Sequence, residues 1–314
     1  GQIMLAARDI VGHPEGIEAA VHAVRNSGLR VTGFQVLRDF EGLSGHLHSY
    51  KVDIAKQMIL MARDLGAPVL LACSSTSSHA TADAEAIAQR FRETYPKGAP
   101  SSFIAYGAEL VQDRDVDPSV LSAWGLKPRR YMLVVARPEP ENHILEIVQG
   151  YEMHGGDWPL VIVGDVSGAT AYQQLLRQHA SDRVRFVGGI YDTGQLASLR
   201  VHAACYLHGH SVGGTNPSLL EALACGNWVI AHDNPFNREV ARDAADYFAT
   251  PEQLARSLDL VVGQSDAMLP QRSQRARDIV AEHYTWEGLA DAYEALMYSE
   301  CRPHRAATTS TGTV

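Results

Sequence analysis

The chain has 314 residues, enough for two domains or one large α/β domain with a substantial buried core. Its 46% hydrophobic and 20% charged residues are those of a soluble globular protein and exclude wholesale disorder. A formal net charge of -9 argues against a nucleic-acid-binding surface, which needs clustered Lys and Arg to neutralise phosphates. The chain starts at Gly1 rather than at a methionine and runs at once into Ile3-Met4-Leu5-Ala6-Ala7, as a fragment or processed chain would. Ile17, Ala20, Val21 and Val24 follow the spacing of an amphipathic helix over residues 14–27, with Pro14 in its first turn. A strand from Leu29 to Val36, a helix from Tyr50 to Leu65 ended by Gly66, and a buried parallel strand over Pro68 to Cys73 complete a strand-helix-strand rhythm.

The turn-rich run Tyr95 to Ser102 marks a domain boundary. Beyond it, Tyr131 to Ala136, Pro159 to Val163, Arg183 to Val187, Ala203 to Leu207 and Asn227 to Ala231 are short apolar runs, each followed by a helical pattern. They predict a parallel sheet covered on both faces, a doubly wound α/β domain. Helices are expected over Leu254 to Val262, residues 270–283 and Trp286 to Tyr298, followed by a disordered tail from Arg302 to Val314. Cys73, Cys205, Cys225 and Cys301 lack zinc-type spacing and read as free thiols of a reducing compartment. With no apolar stretch of about 18 residues and no basic-then-apolar leader, the expected location is the cytoplasm.

Ligands of open parallel sheets bind beyond the carboxyl ends of the strands, so the loops there carry the chemistry. The loop after the fourth strand of the second domain runs from His208 to Asn216, and the helix that follows includes Pro217 and Glu221. Its glycines permit close backbone approach, Asn216 can cap, Pro217 suits the first turn, and free N–H groups there favour a diphosphate. An ordinary glycine-containing strand-to-helix turn has the same spacing. After the first strand, Arg137 precedes another helix start and can bind phosphate oxygens in bidentate fashion; taken alone it could equally be a surface salt-bridge residue. His208 and His210 read as structural or substrate-orienting groups in preference to catalytic bases.

The runs Phe103 to Glu109, Ala136 to His143, Ser211 to Gly226 and Tyr284-Thr285-Trp286 closely resemble bacterial glycosyltransferases of the GT-B fold, of the group 1 (family 4-like) kind. Among these the chain looks most like rhamnosyltransferase-type enzymes of surface polysaccharide assembly, with motifs in order over about 200 residues. The resemblance implies that residues 91–301 form a Rossmann-like domain that binds a nucleotide-diphosphate sugar. It implies that Arg137 meets the diphosphate and Glu221 the ribose, with Ser211, Gly213, Gly214 and Thr215 beside the sugar and phosphates and Leu196 in the region of the base. Two positions depart from the broader family: Gly213 stands where retaining members often carry a glutamate, and Asn142 where a lysine often follows the phosphate arginine. A retaining outcome therefore does not follow. The implied reaction is sugar transfer to a saccharide or lipid-linked saccharide, in the cytoplasm or at the inner membrane face, with no cofactor besides the donor and no obligatory metal. No covalent nucleophile is identifiable, and catalytic residues stay unassigned.

The first ninety residues resemble a different group. Ala6-Ala7-Arg8-Asp9-Ile10, Gly28 to Gln35, Arg38 to Gly42 and Leu70 to Ser75 look like sugar-phosphate isomerase/epimerase TIM barrels of the dehydroshikimate dehydratase type. Only about three of eight strand-helix units are present, so residues 1–90 are expected to be a partial (β/α) barrel segment, joined to the second domain between Ala86 and Tyr95. Asp39, Glu41, His46, His48 and His79 are metal-ligand candidates by residue type alone, and solvated loop residues is the preferred reading. Two further functions follow from this composition: a non-catalytic nucleotide-sugar-binding chimera, and a remnant of a barrel-type lyase.

Overall fold

The computed structural model describes residues 2–37, 45–68, 70–72, 104–168, 170–211 and 214–301. They fall into two compact units, one within Gly1–Thr81 and Val212–Gly214 and the other within Ala82–Ser211 and Thr215–Val314. The expected boundary at residues 90/91, the run Tyr95 to Ser102, the tail, Cys73, Asp39, Glu41 and His79 lie outside the described residues, as do the side chains of His46, His48 and Cys301.

In the first unit, β1 (Gln2–Ala6), β2 (Arg30–Leu37) and β3 (Leu70–Ala72) form a parallel sheet in sequential order. Helices α1 (Ala7–Val11), α2 (Ile17–Asn26) and α3 (Gly45–Asp64) accompany it. The predicted amphipathic helix starts at Ile17 rather than at residue 14, because Gly16 at φ 89° is its non-helical N-cap and leaves Pro14 in the preceding turn. Phe34 is fully buried at the centre of a core with Leu5, Ile10, Val31, Met58 and Leu65.

The second unit contains six parallel strands: β4 (Met132–Val135), β5 (Leu160–Val163), β6 (Val184–Gly188), β7 (Cys205–His208), β8 (Val229–His232) and β9 (Ala245–Phe248). Between and after them run α4 (Ile144–His154), α5 (Ala171–His179), α6 (Thr193–Val201), α7 (Pro217–Ala224), α8 (Pro235–Ala241), α9 (Pro251–His283) and α10 (Trp286–Cys301). The sheet order is β6-β5-β4-β7-β8-β9, the doubly wound arrangement whose winding reverses between β4 and β7. Side chains alternate between two cores: Leu133, Val161, Tyr206 and Val229 face one, and Met132, Leu160, Ile162, Cys205 and Leu207 the other. Both cysteines of this domain that can be described, Cys205 and Cys225, are buried free thiols.

Two expectations are corrected. The sixth strand, β9, is absent from the sequence reading: it has four residues and includes Asp246, whose carboxylate accepts from Trp228 Nε1 at 2.7 Å and from Arg272 at 2.8 Å. The two helices expected after residue 250 are one continuous helix, α9, with Pro270 inside it. Leu254, Leu258, Val261 and Leu269 of α9 pack in one core, and Ala276, Ile279 and Val280 in the other. The hydrophobic repeat changes face mid-helix, which mimics two helices on paper.

Candidate functional site

Where the winding reverses, the loops after β4 and β7 leave the sheet side by side and are tied together. Ser211 donates through both its backbone N–H and its Oγ to Glu141 O, each at 3.0 Å. His143 Nδ1 donates to Gly209 O at 3.0 Å; a carbonyl can only accept, so that nitrogen carries the proton. A Cβ on Gly209 would collide with Asn142 O, so glycine is needed there for the loops to approach this closely.

Arg137 is exposed on the first loop. Asn142, by contrast, is only 3% exposed, and its Nδ2 donates to Arg137 O at 2.8 Å. It fixes the arginine's backbone and has no surface to offer a phosphate. On the second loop, Asn216 caps α7, its Oδ1 accepting from Ser218 N at 3.0 Å, with Pro217 at the first helical position as the sequence predicts. Ser218 Oγ donates to Val135 O at 3.1 Å and meets Tyr206 OH at 2.5 Å, anchoring the head of α7 to the end of β4. Gly214 and Thr215 are half-buried, and Gly213 lies outside the described residues.

Glu221, in the second turn of α7, is half exposed and pairs with Arg200 Nη2 of α6 at 2.5 Å. Leu196 occupies the first turn of α6, half-buried against the core, behind the Asp192 cap that accepts from Gln195 N at 2.8 Å. The structure thus brings Arg137, Asn142, Ser211 and the head of α7 together at the reversal point, and α6 supplies both Leu196 and the partner of Glu221. Arg200, Tyr206 and Ser218 escaped the sequence reading. The available signal for Arg200 was a lone charge between Leu199 and Val201, one turn after Leu196.

Four histidines line the same strand ends. His143 stacks on His232 with ring centroids 4.2 Å apart, and His208 on His210 at 4.5 Å. Burial holds His208 well below its ordinary pKa, with His210 and His232 adding to the effect. Burial pushes His210 down to about 4, with Arg137 and His143 contributing, and pushes His232 down to about 4, with His143 contributing. All three are therefore neutral at pH 7. His208 is 1% exposed, which removes it from contact with any substrate and places it among structural groups. Among the described residues, no group of three His, Cys, Asp or Glu side chains could hold a metal ion, and no helix is long and apolar enough to cross a membrane.

Residues 123–279 match the family described as Glycosyl transferases group 1. No curated protein matches the chain. Among solved structures, sucrose-phosphate synthase from Thermosynechococcus elongatus is similar over 95% of this chain and 98% of its own, at 14% identity and a TM-score of 0.64. HepE of Anabaena, solved in complex with UDP, is similar over 89% of this chain and 75% of its own, at 14% identity and a TM-score of 0.62. WaaG, a glycosyltransferase involved in lipopolysaccharide biosynthesis, is similar over 90% of this chain and 83% of its own, at 14% identity and a TM-score of 0.58. At such identities the likeness establishes the fold, a Rossmann-like sheet of the GT-B kind. An alignment over 95% of the chain takes in much of the first ninety residues as well.

Proposed function

The chain belongs to the group 1 glycosyl transferases, and from that premise we propose that it moves a sugar from a nucleotide-diphosphate donor to a saccharide acceptor in surface polysaccharide synthesis. The observation that carries this reading is the convergence of Arg137 and the capped head of α7 at the reversal between β4 and β7. A diphosphate bound there would meet a guanidinium fork and the positive end of the α7 helix dipole. Both stabilise the charge that develops as the sugar-phosphate bond breaks, and both are held in place beforehand. Neutral histidines add no standing positive charge, so Arg137 and the helix start carry the electrostatics. A UDP complex of one structural neighbour and the lipopolysaccharide role of another support a nucleotide sugar as donor and a surface glycan as product. A lipid-linked acceptor would place the enzyme at the inner membrane face.

Calorimetric titration with a panel of nucleotide sugars tests the reading. One donor should bind, and Arg137→Ala and Glu221→Ala should each weaken it by about ten- to a hundredfold, the loss expected for a hydrogen bond to a charged group. Absence of binding to every member of the panel would overturn the donor site. Binding without transfer to any saccharide acceptor would instead identify a nucleotide-sugar-binding module.

A further inference from the structure

Arg200 is an expensive residue to keep where it is. Its side chain is 5% exposed, between the buried Leu199 and Val201, and taking a guanidinium out of water costs several kcal/mol unless it is paired. Packing alone would be served as well by an apolar side chain of similar volume. Its ion-pair partner is not in the core: Glu221 is 51% exposed, on the α7 face of the site, so the pair runs from the interior to the mouth. The helix that carries it is fixed at both levels, since Asn227 Nδ2 donates to Arg200 O at 2.6 Å and Ser198 Oγ to Asp117 O at 2.7 Å.

A close ion pair with a buried guanidinium restricts the rotamer freedom of a long exposed carboxylate. The pair closes on Oε2 of a side chain that is still half exposed, so the carboxylate keeps surface for a ligand. It also cancels a negative charge that would otherwise stand near the bound diphosphate and repel it. We propose that Arg200 is a positioning residue for nucleoside recognition, holding Glu221 by one oxygen so that the other receives the ribose hydroxyls of the donor. This rests on the reading of Glu221 as the ribose contact.

The test separates ribose recognition from general integrity. UDP, GDP, ADP, CDP and dTDP are titrated into the protein, and the tightest binder is compared with its 2′,3′-dideoxy counterpart. The comparison is repeated in Glu221→Ala, Arg200→Met, Arg200→Lys and the Glu221→Ala/Arg200→Met double variant. The wild type should prefer the hydroxylated ligand by about tenfold or more, and Arg200→Met should lose most of that preference while its affinity for the dideoxy ligand changes by less than about threefold. The double variant should lose no more preference than either single one. Equal weakening of both ligands by Arg200→Met would show a merely structural role, and an undiminished preference would show no role; either overturns the proposal. If Arg200→Met does not fold, Arg200→Lys decides: an intermediate preference supports positioning, and an unchanged one overturns it. A preference that survives Glu221→Ala overturns the ribose reading itself, whatever Arg200 does.

Discussion

His210 and His232, each pushed down to about 4 by burial, tie the site to the pH dependence of folding. An imidazole whose pKa is lower in the folded chain favours folding only while deprotonated. The stability it contributes is complete above its unfolded value near 6.5 and is lost as pH falls from there toward 4. The melting temperature should therefore decline across that window, and His210→Asn or His232→Asn should make the decline shallower; an unaltered slope in both would contradict the assignment. At this scale the sequence was informative where a side chain acts from its own motif. Arg137, Asn216 and Pro217 stand where their neighbours said they would. Arg200 was not legible, because its meaning depends on a carboxylate in a different helix, and the burial of Asn142 was not legible either, because residue type does not say whether an amide faces solvent.

Two glycines show how elements are brought together. Gly150 lies in α4, where alanine would ordinarily favour the helix by about 1 kcal/mol. A Cβ there would come within 2.8 Å of Pro251 O and 2.9 Å of Leu254 Cδ2 in α9. Gly150→Ala should consequently destabilise the protein, by about 1–3 kcal/mol for an overpacked contact, as read by urea unfolding. Gly209→Ala would part the loops after β4 and β7 and should abolish donor binding in calorimetry with less effect on melting temperature. Strands buried on both faces announce themselves as apolar runs, which made β4, β5, β7 and β8 readable. An edge strand of four residues with an aspartate in it does not, and a helix that changes faces at Pro270 reads as two.

For the whole molecule, the doubly wound class was legible but the pairing was only partly so, since period and apolarity say nothing of which strand neighbours which. The loops after β4 and β7 share an anion-binding chemistry, and the pairing of their strands sets them side by side. In the first unit, three parallel strands in sequential order suit an arc of a barrel and an open sheet alike, so their order does not select between the two. The second unit has both of its cores, and every described site residue except Gly214, within 104–301. Expressed alone, residues 104–301 should unfold cooperatively and bind the same nucleoside diphosphate as the full chain; a molten or non-binding product would show that the first unit is required. The pairing of β4 with β7 also sets a schedule during synthesis. His143 and the Gly209 carbonyl it bonds are separated by 66 positions, so at roughly 5–20 residues per second the first loop waits several seconds on the ribosome before its counterpart emerges. Until then the two loops of the proposed site are not side by side, and on that proposal a donor would have to wait for the second of them.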